Sequence, residues 1–509
     1  MLNNMKYSTL IACIILIISC NKPQSTPNNT KIVLGKEGKL LDSLLTPYVE
    51  KLRKLTDNEA GLTIGVTRGE DIIYAHAFGY ANIEKNEKAN LNSVFHIASL
   101  SKPFTAAAIA KLIQQEKLQL DDKIIDYIPE LKMANGDYEA ITIRHILTHT
   151  SGIPANISPD DWTKPSFGPK ALEENLEAIQ THSLDFEPGT KFRYSNSAFD
   201  ILGIVLSRVS GMEFSKFVTT QILQPAGMTE STFVKPKDSL PSNYVASYSY
   251  GLQTQEWLPY PYNEKLFPSS GMLTSLTDMC KWAQIHQGRG KFQENKILDE
   301  EYFNLITKPQ FDTPWGDKIG LSWFLQSYLE RPIIMHTGQD TGFEAIIYIY
   351  PDDDASIIVM ANRDFSRTGR LINAASEILF KQELKSYQIS AKYVFAEVYK
   401  NQGIEKAKVA WQEIKKDTTD IYFVDDDDIL TTGAILENGK RWTETKEVLE
   451  YYNTLNKKST YSWRLLGNAN LNLGDTINAL ICYQQCLKIN PDYKKATLAI
   501  EDISKDRKN

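Results

Sequence analysis

Cysteine is scarce, five residues in a chain of 509, and their scatter offers no disulfide framework on which a small exported fold could rest. Basic charge is not in excess. With 56 Lys+Arg against 63 Asp+Glu, no surplus exists to neutralise a phosphate backbone, and nucleic acid is not expected as a partner. Glycine (27) and proline (21) are too few for a collagen-like or low-complexity chain. The apolar run from Thr9 to Ile18 is too short for an ordinary membrane span. No G-x-S-x-G elbow occurs, since Gly320-Leu321-Ser322 runs on into Trp323-Phe324, and this disfavours an α/β-hydrolase. His145 and His149 are four apart, but Ile146-Leu147-Thr148 between them lacks the Glu of a zinc-protease helix. Structural roles are expected for both. The acidic run Asp425 to Asp428 lacks the Gly and distant Glu of a calcium loop. No metal or organic cofactor is implied.

What is present is the composition of a globular protein, 42% hydrophobic and 23% charged. At roughly one domain per 150 residues the length suggests about three units, or one large domain with a smaller module. Residues 1–20 read as a lipoprotein signal peptide. Lys6 precedes the apolar run, and Ile17-Ile18-Ser19-Cys20 resembles a bacterial lipobox in which Cys20 is lipidated. A short uncleaved anchor is the alternative; either tethers the protein to a membrane, facing the periplasm by default. Residues 21–39, beginning with Pro, Asn and Thr and no apolar periodicity, are expected to be a flexible tether. Cys280, Cys482 and Cys486 then remain, the last two expected as small apolar packing residues on a helix.

Further along, Gly61 to Gly79 looks like two strands around a turn, and Ala345 to Tyr350 with Ser356 to Asn362 a second pair. Leu371, Ile372, Ala375, Ile378 and Leu379 have helical spacing. Strands at both ends with helices between imply an α+β domain over 40–385. Over 388–509 the strand signal gives way to helical hairpins. There Trp463, Leu466, Gly467, Gly474, Ala479, Tyr483, Leu487 and Pro491 follow the pattern of a tetratricopeptide repeat, and Gly433 lies one 34-residue period before Gly467. Such repeats could hold a protein partner.

Three elements carry chemistry. Ser99-Leu100-Ser101-Lys102 is an S-x-x-K element, with Pro103 opening a helix. Residues three apart share a face there, so Lys102 can reach the Ser99 hydroxyl, a weak nucleophile without such a neighbour. Tyr194-Ser195-Asn196 follows the turn Glu187-Pro188-Gly189; a tyrosine of depressed pKa beside a lysine could shuttle protons. His336-Thr337-Gly338 precedes the second strand pair, where an edge strand could offer backbone N–H groups to a substrate.

In the order Ser99, Tyr194, His336 these elements resemble the serine β-lactamase and penicillin-binding-protein superfamily, in its class C-like branch of DD-carboxypeptidases, D-aminopeptidases and esterases. The stretches Ile143 to Pro154 and Ser270 to Ser275 look like loops of that family. The resemblance implies a β-lactamase/transpeptidase-like antiparallel sheet flanked by helices, with a helical subdomain. It also implies that Ser99 forms an acyl-enzyme, that Lys102 and Tyr194 exchange protons, and that Asn196 orients the lysine and the substrate. Ser99 and Gln339 would supply the oxyanion hole, and His336, Thr337 and Gly338 would line the substrate. Many members carry Lys-Thr-Gly where this chain has His336, so the permanent cation for a substrate carboxylate is missing. The reading is a membrane-anchored serine hydrolase of an amide or ester, a D-amino-acid peptide or a small ester. The alternatives are a class C-like β-lactamase, and a non-catalytic penicillin-recognising or scaffold protein.

Overall fold

The computed structural model describes residues 29–157, 164–235 and 243–506. Cys20 and the apolar run before it lie outside the described residues. Nine strands form one antiparallel sheet: β1 (Lys31–Val33), β2 (Leu62–Arg68), β3 (Asp71–Phe78), β4 (Phe311–Asp312), β5 (Lys318–Ile319), β6 (Phe324–Tyr328), β7 (Arg331–Asp340), β8 (Phe343–Tyr350) and β9 (Ala355–Ala361). Their order across the sheet is β1-β3-β2-β9-β8-β7-β6-β5-β4. Both expected hairpins form, within two residues of their expected ends.

Strands β8 and β9 read as continuous apolar runs because both of their faces are covered. Ala345, Ile347 and Ile349 of β8, with Ile358 and Met360 of β9, enter one core, while Ile346, Tyr348, Tyr350, Ile357 and Val359 enter a second on the opposite face. The first core is shared with helices α2 (Lys102–Gln114), α3 (Asn196–Ser210) and α4 (Leu276–Gln287). The second is closed by α1 (Gly35–Leu55) and α5 (Thr368–Leu379). Close approach of α4 depends on Gly65 of β2, where an added Cβ would stand 2.9 Å from Cys280 Sγ. Cys280 is thus a packing residue, as are the buried Cys482 and Cys486.

Part of the segment expected as tether belongs to the fold. Within 21–39, Lys31–Val33 pairs with His76 to Tyr74, and α1 starts at Gly35. A strand of three residues, Lys31-Ile32-Val33, is too short to show an alternation of its own, and its register is set by the partner.

Seven helices follow α5, from α6 (Lys392–Gln402) and α7 (Ile404–Ile414) through α8 (Asp427–Asn438), α9 (Trp442–Leu455), α10 (Thr460–Asn472) and α11 (Thr476–Ile489) to α12 (Lys494–Asp506). One strand signal was missed here: Ile389–Ser390 pairs in parallel with Tyr422–Phe423. The first hairpins do not have a core of their own. Tyr393, Phe395, Trp411, Ile429, Leu436 and Val448 are buried in the same cluster as Leu41 of α1 and Ile357 of β9. Arg363, fully buried, seals this seam by donating to the carbonyls of Thr56 (2.9 Å) and Asp57 (2.8 Å) while lying 4.7 Å from the Tyr250 ring. Gln255 Nε2 donates to the Ile435 carbonyl of α8 at 2.8 Å. Helices α10 to α12 add two smaller clusters, one of them seated on Leu449 of α9, and in the other Gly467 sits against the Tyr483 ring.

Where the core divides should therefore govern truncation. A chain ending at residue 456 is expected to stay soluble with one cooperative melting transition. A chain ending at residue 387 should aggregate, because it uncovers the apolar seam. Trp411→Ala, at a fully buried site, should cost about 3–5 kcal/mol by chemical denaturation. Equal stability of both truncated chains would contradict the shared core.

Candidate active site

Ser99 lies on a single 3-10 turn, Ala98–Ser101, which runs directly into α2 at Lys102. In a 3-10 turn residues i and i+3 eclipse, which brings the two side chains together more directly than the expected first turn of an α-helix. Ala98 takes a positive φ of 46° to make this entry. Ser101 Oγ donates to the Ala98 carbonyl (2.6 Å) and accepts from Met272 N–H (2.9 Å), tying the turn to the stretch 270–275. The Ala-rich helix behind it is apolar nearly all round because it runs through the core.

Lys102 is completely buried. Its Nζ stands 3.2 Å from Ser99 Oγ, 2.7 Å from Asn196 Oδ1 and 2.8 Å from the Ser269 carbonyl. Burial disfavours the ammonium form and brings the amine down to about 7, although Asp200 and Asp340 pull the other way. A neutral amine with this geometry donates its two hydrogens to Asn196 and Ser269 and keeps its lone pair for the Ser99 hydroxyl.

Tyr194 and Asn196 reach this point because Ser195 caps α3. Ser195 Oγ accepts from Ala198 N–H (3.0 Å) and donates to the Pro154 carbonyl (2.9 Å). Ser195 N–H donates to His149 Nδ1 at 3.2 Å, and the His149 ring lies 4.2 Å from the Tyr194 ring. His149 therefore works inside the protein as the support of the tyrosine loop. His145 completes a capping box with Thr142. The amide of Asn196 is held from its far side, where Nδ2 donates to Asn156 Oδ1 at 2.9 Å.

The Tyr194 phenol departs from the expectation of a depressed pKa. Burial pushes it up, and a hydrogen bond with Ser99 offsets only part of that. The phenol thus stays protonated in the free protein, while burial favours the free-base form of Lys102.

His336, Thr337, Gly338 and Gln339 occupy the C-terminal half of β7. That strand is interior to the sheet, but β6 pairs only as far as Met335, so residues 336–340 have a free outer edge. Gly338 packs against the Ser99 turn, with space for no side chain: a Cβ there would lie 1.9 Å from the Ile97 carbonyl. His336 is buried, and its Nδ1–H donates to the Thr337 carbonyl at 2.7 Å. Burial and the neighbouring Lys102 bring its ring down to about 3. It carries no charge at neutral pH.

Several contributors had no sequence signal. The Ser269 carbonyl is a backbone group, and Asn156 is one polar residue in an unpatterned loop. His96 Nε2 and Asp340 Oδ2, 3.1 Å apart and both nearly buried, join the strand before Ser99 to the end of β7. The three residues Val94–His96 are buried throughout, which gives no hint of the pairing.

A family model described as Beta-lactamase matches residues 41–379. The chain is 28% identical over 324 residues to Protein flp of Staphylococcus aureus (strain NCTC 8325 / PS 47), covering 61% of each chain, and 28% identical over 339 residues to Penicillin-binding protein 4* of Bacillus subtilis (strain 168), covering 63% of this chain and 72% of that one. It thus spans about three fifths of the length of Protein flp. Among solved structures, the octameric penicillin-binding protein homologue from Pyrococcus abyssi superposes with a TM-score of 0.60 at 23% identity, covering 71% of this chain and 82% of that one. A class C beta-lactamase superposes with a TM-score of 0.56 at 19% identity, covering 69% and 97%. These last two likenesses speak for the fold, and the matched stretch contains Ser99, Lys102, Tyr194, Asn196 and His336 together: the chain belongs to the beta-lactamase family of serine hydrolases.

Proposed function

We propose that this protein is a lipid-tethered serine hydrolase that cleaves an amide or ester through an acyl-enzyme on Ser99. The observation that carries the reading is the buried Lys102 amine, within hydrogen-bond reach of the Ser99 hydroxyl and brought to about 7. Ser99 Oγ attacks the substrate carbonyl carbon and gives its proton to the Lys102 amine. The backbone N–H groups of Ser99 and Gln339 receive the oxyanion. As the tetrahedral adduct collapses, the Tyr194 phenol protonates the leaving nitrogen or oxygen and recovers its proton from Lys102. Water then attacks the acyl carbonyl, giving a proton to Lys102, and Ser99 leaves with one. His336 weighs against an efficient β-lactamase, because a neutral imidazole offers no cation to a β-lactam carboxylate.

Treatment with a fluorophosphonate or labelled penicillin followed by peptide mass spectrometry should place the adduct on Ser99. Folded protein without that adduct would overturn the reading. Lys102→Met should slow acylation by about a thousandfold or more.

The pH dependence has a definite sign. The reactive form is the free amine, so acylation should rise with pH through about 7 and then level off, with roughly a tenth of the plateau rate one unit below the midpoint. A rising limb near the ordinary lysine value of 10.5 would remove Lys102 as the base.

Anchoring at Cys20 is the second part of the proposal. In a bacterial host, the protein should incorporate radiolabelled palmitate and partition with membranes. Cys20→Ala should abolish the label, and retention of label would locate the lipid elsewhere.

A further inference from the structure

Trp315 is an exposed tryptophan on an ordered turn. Its side chain remains 57% accessible, yet Thr313 N–H donates to the Asp317 carbonyl (2.8 Å), Gly316 N–H to the Thr313 carbonyl (3.1 Å) and Asp317 N–H to Thr313 Oγ1 (3.1 Å). Gly316 supplies the positive φ of 92° that closes the turn. An aromatic ring held out in water by a fixed backbone pays little ordering cost on meeting a ligand.

Two series of ring contacts run from the catalytic elements to this residue. From the tyrosine loop, the Tyr194 ring lies 4.2 Å from His149, His149 lies 5.9 Å from Phe192, and Phe192 lies 5.4 Å from Trp315. From the other wall, His336 lies 5.5 Å from Phe324, and Phe324 lies 6.1 Å from Trp315. Phe192 and Phe324, 6.5 Å apart, join the two series. The spacings and the edge-on or tilted planes are those of favourable aromatic contacts. Outward from the proton donor the rings thus pass from the buried His149 and Phe324 to the part-exposed Phe192 and the exposed Trp315, which form an aromatic shelf.

Two of the cations that flank it are engaged, and the third, Lys191, is exposed to solvent. Arg193, next to Phe192, is paired with Asp185 at 2.8 Å, and Lys318, beyond the turn, is paired with Asp312. Asp317 adds a carboxylate two residues from Trp315, where it accepts from Gln326 Nε2. His336, which borders the shelf, has its one N–H committed to Thr337.

A leaving group must depart on the side of the group that protonates it. Resting on the assignment of Tyr194 as that donor, we infer that Phe192, Trp315 and Phe324 form the leaving-group subsite, and that it takes an uncharged aromatic leaving group in preference to one bearing a carboxylate. The favoured substrate class is then an aryl ester or aryl amide, and a peptide losing a free C-terminal amino acid is disfavoured.

Three esters of one acyl group separate these cases: phenyl acetate, the acetyl ester of 3-hydroxybenzoate, and methyl acetate. The phenyl ester should exceed the carboxylate ester in kcat/KM by tenfold or more. Trp315→Ala should lower kcat/KM for the phenyl ester at least tenfold more than for the methyl ester, and Phe192→Leu should act in the same direction. Equal or faster turnover of the carboxylate ester, or equal losses for phenyl and methyl esters, overturns the subsite. The catalytic reading fails separately, by absence of any acetyl adduct on Ser99. Independently of turnover, Ser99→Ala protein should bind p-cresol more tightly than 4-hydroxybenzoate by calorimetry, and Trp315→Ala in that background should erase the difference. The same affinity for both phenols would overturn the shelf even if Ser99 reacts.

Discussion

A primary amine enclosed in protein, within reach of one hydroxyl and two carbonyl oxygens, is the interaction on which the catalytic half of this molecule depends. Taking an ammonium out of water is expensive, and the usual relief is a shift of pKa toward the neutral form. Lys102 obtains that relief without losing its place, because Asn196 Oδ1 and the Ser269 carbonyl still fix the amine where Ser99 needs a base. These two acceptors come from a helix start and from a short helical turn before residues 270–275, far apart in sequence. The site therefore exists only when α2, α3 and the 264–275 stretch have packed together.

The two faces of the sheet divide the labour. The inner face positions α2 and α3, and with them Ser99, Lys102 and Asn196. The outer face is covered by α1, α5 and the first C-terminal hairpins, whose burial shares one core with β8 and β9. Because β7 lies beside β8, the strand bearing His336 to Gln339 has a support whose far side is formed partly by residues after 388. The C-terminal helices are thus part of the scaffold first, and α10 to α12 extend it through smaller clusters, one of them seated on Leu449 of α9.

How much of this was legible in the sequence follows from what leaves a local trace. Ser99 and Lys102 could be paired from spacing alone, since a separation of three is a neighbour relation in any helical turn. The strands β8 and β9 showed as two short apolar runs around a turn, and the helix of α5 showed its period. The single Gly338 could be named only through resemblance, but its reason is physical: the Ile97 carbonyl occupies the place of a side chain. By contrast, the Ser269 carbonyl, the Asn156 amide and the pairing of His96 with Asp340 depend on tertiary approach, for which one chain has no period or composition cue. Strand β1 was hidden in a polar segment, and the seam of Arg363 with Tyr250 and Tyr393 could not be read because a helix's pattern shows that a face is buried without saying against what.

Tyr194 illustrates how burial can invert a role assigned by residue type. A lysine beside a phenol suggests a depressed phenol, but that inference requires the lysine to be charged. Once burial has brought Lys102 down to about 7, its cation is only partly populated at neutral pH, and desolvation raises the phenol. The same logic applies to His336. Its burial, the nearby amine and the bond from Nδ1 to the Thr337 carbonyl select the neutral ring. A site with a partly charged amine held by three partners, an uncharged phenol and an uncharged imidazole supplies little attraction for an anionic leaving group. On the proposed mechanism it stabilises charge mainly where charge develops, at the oxyanion and at the departing atom, which leaves recognition on that side to the aromatic rings beyond Tyr194.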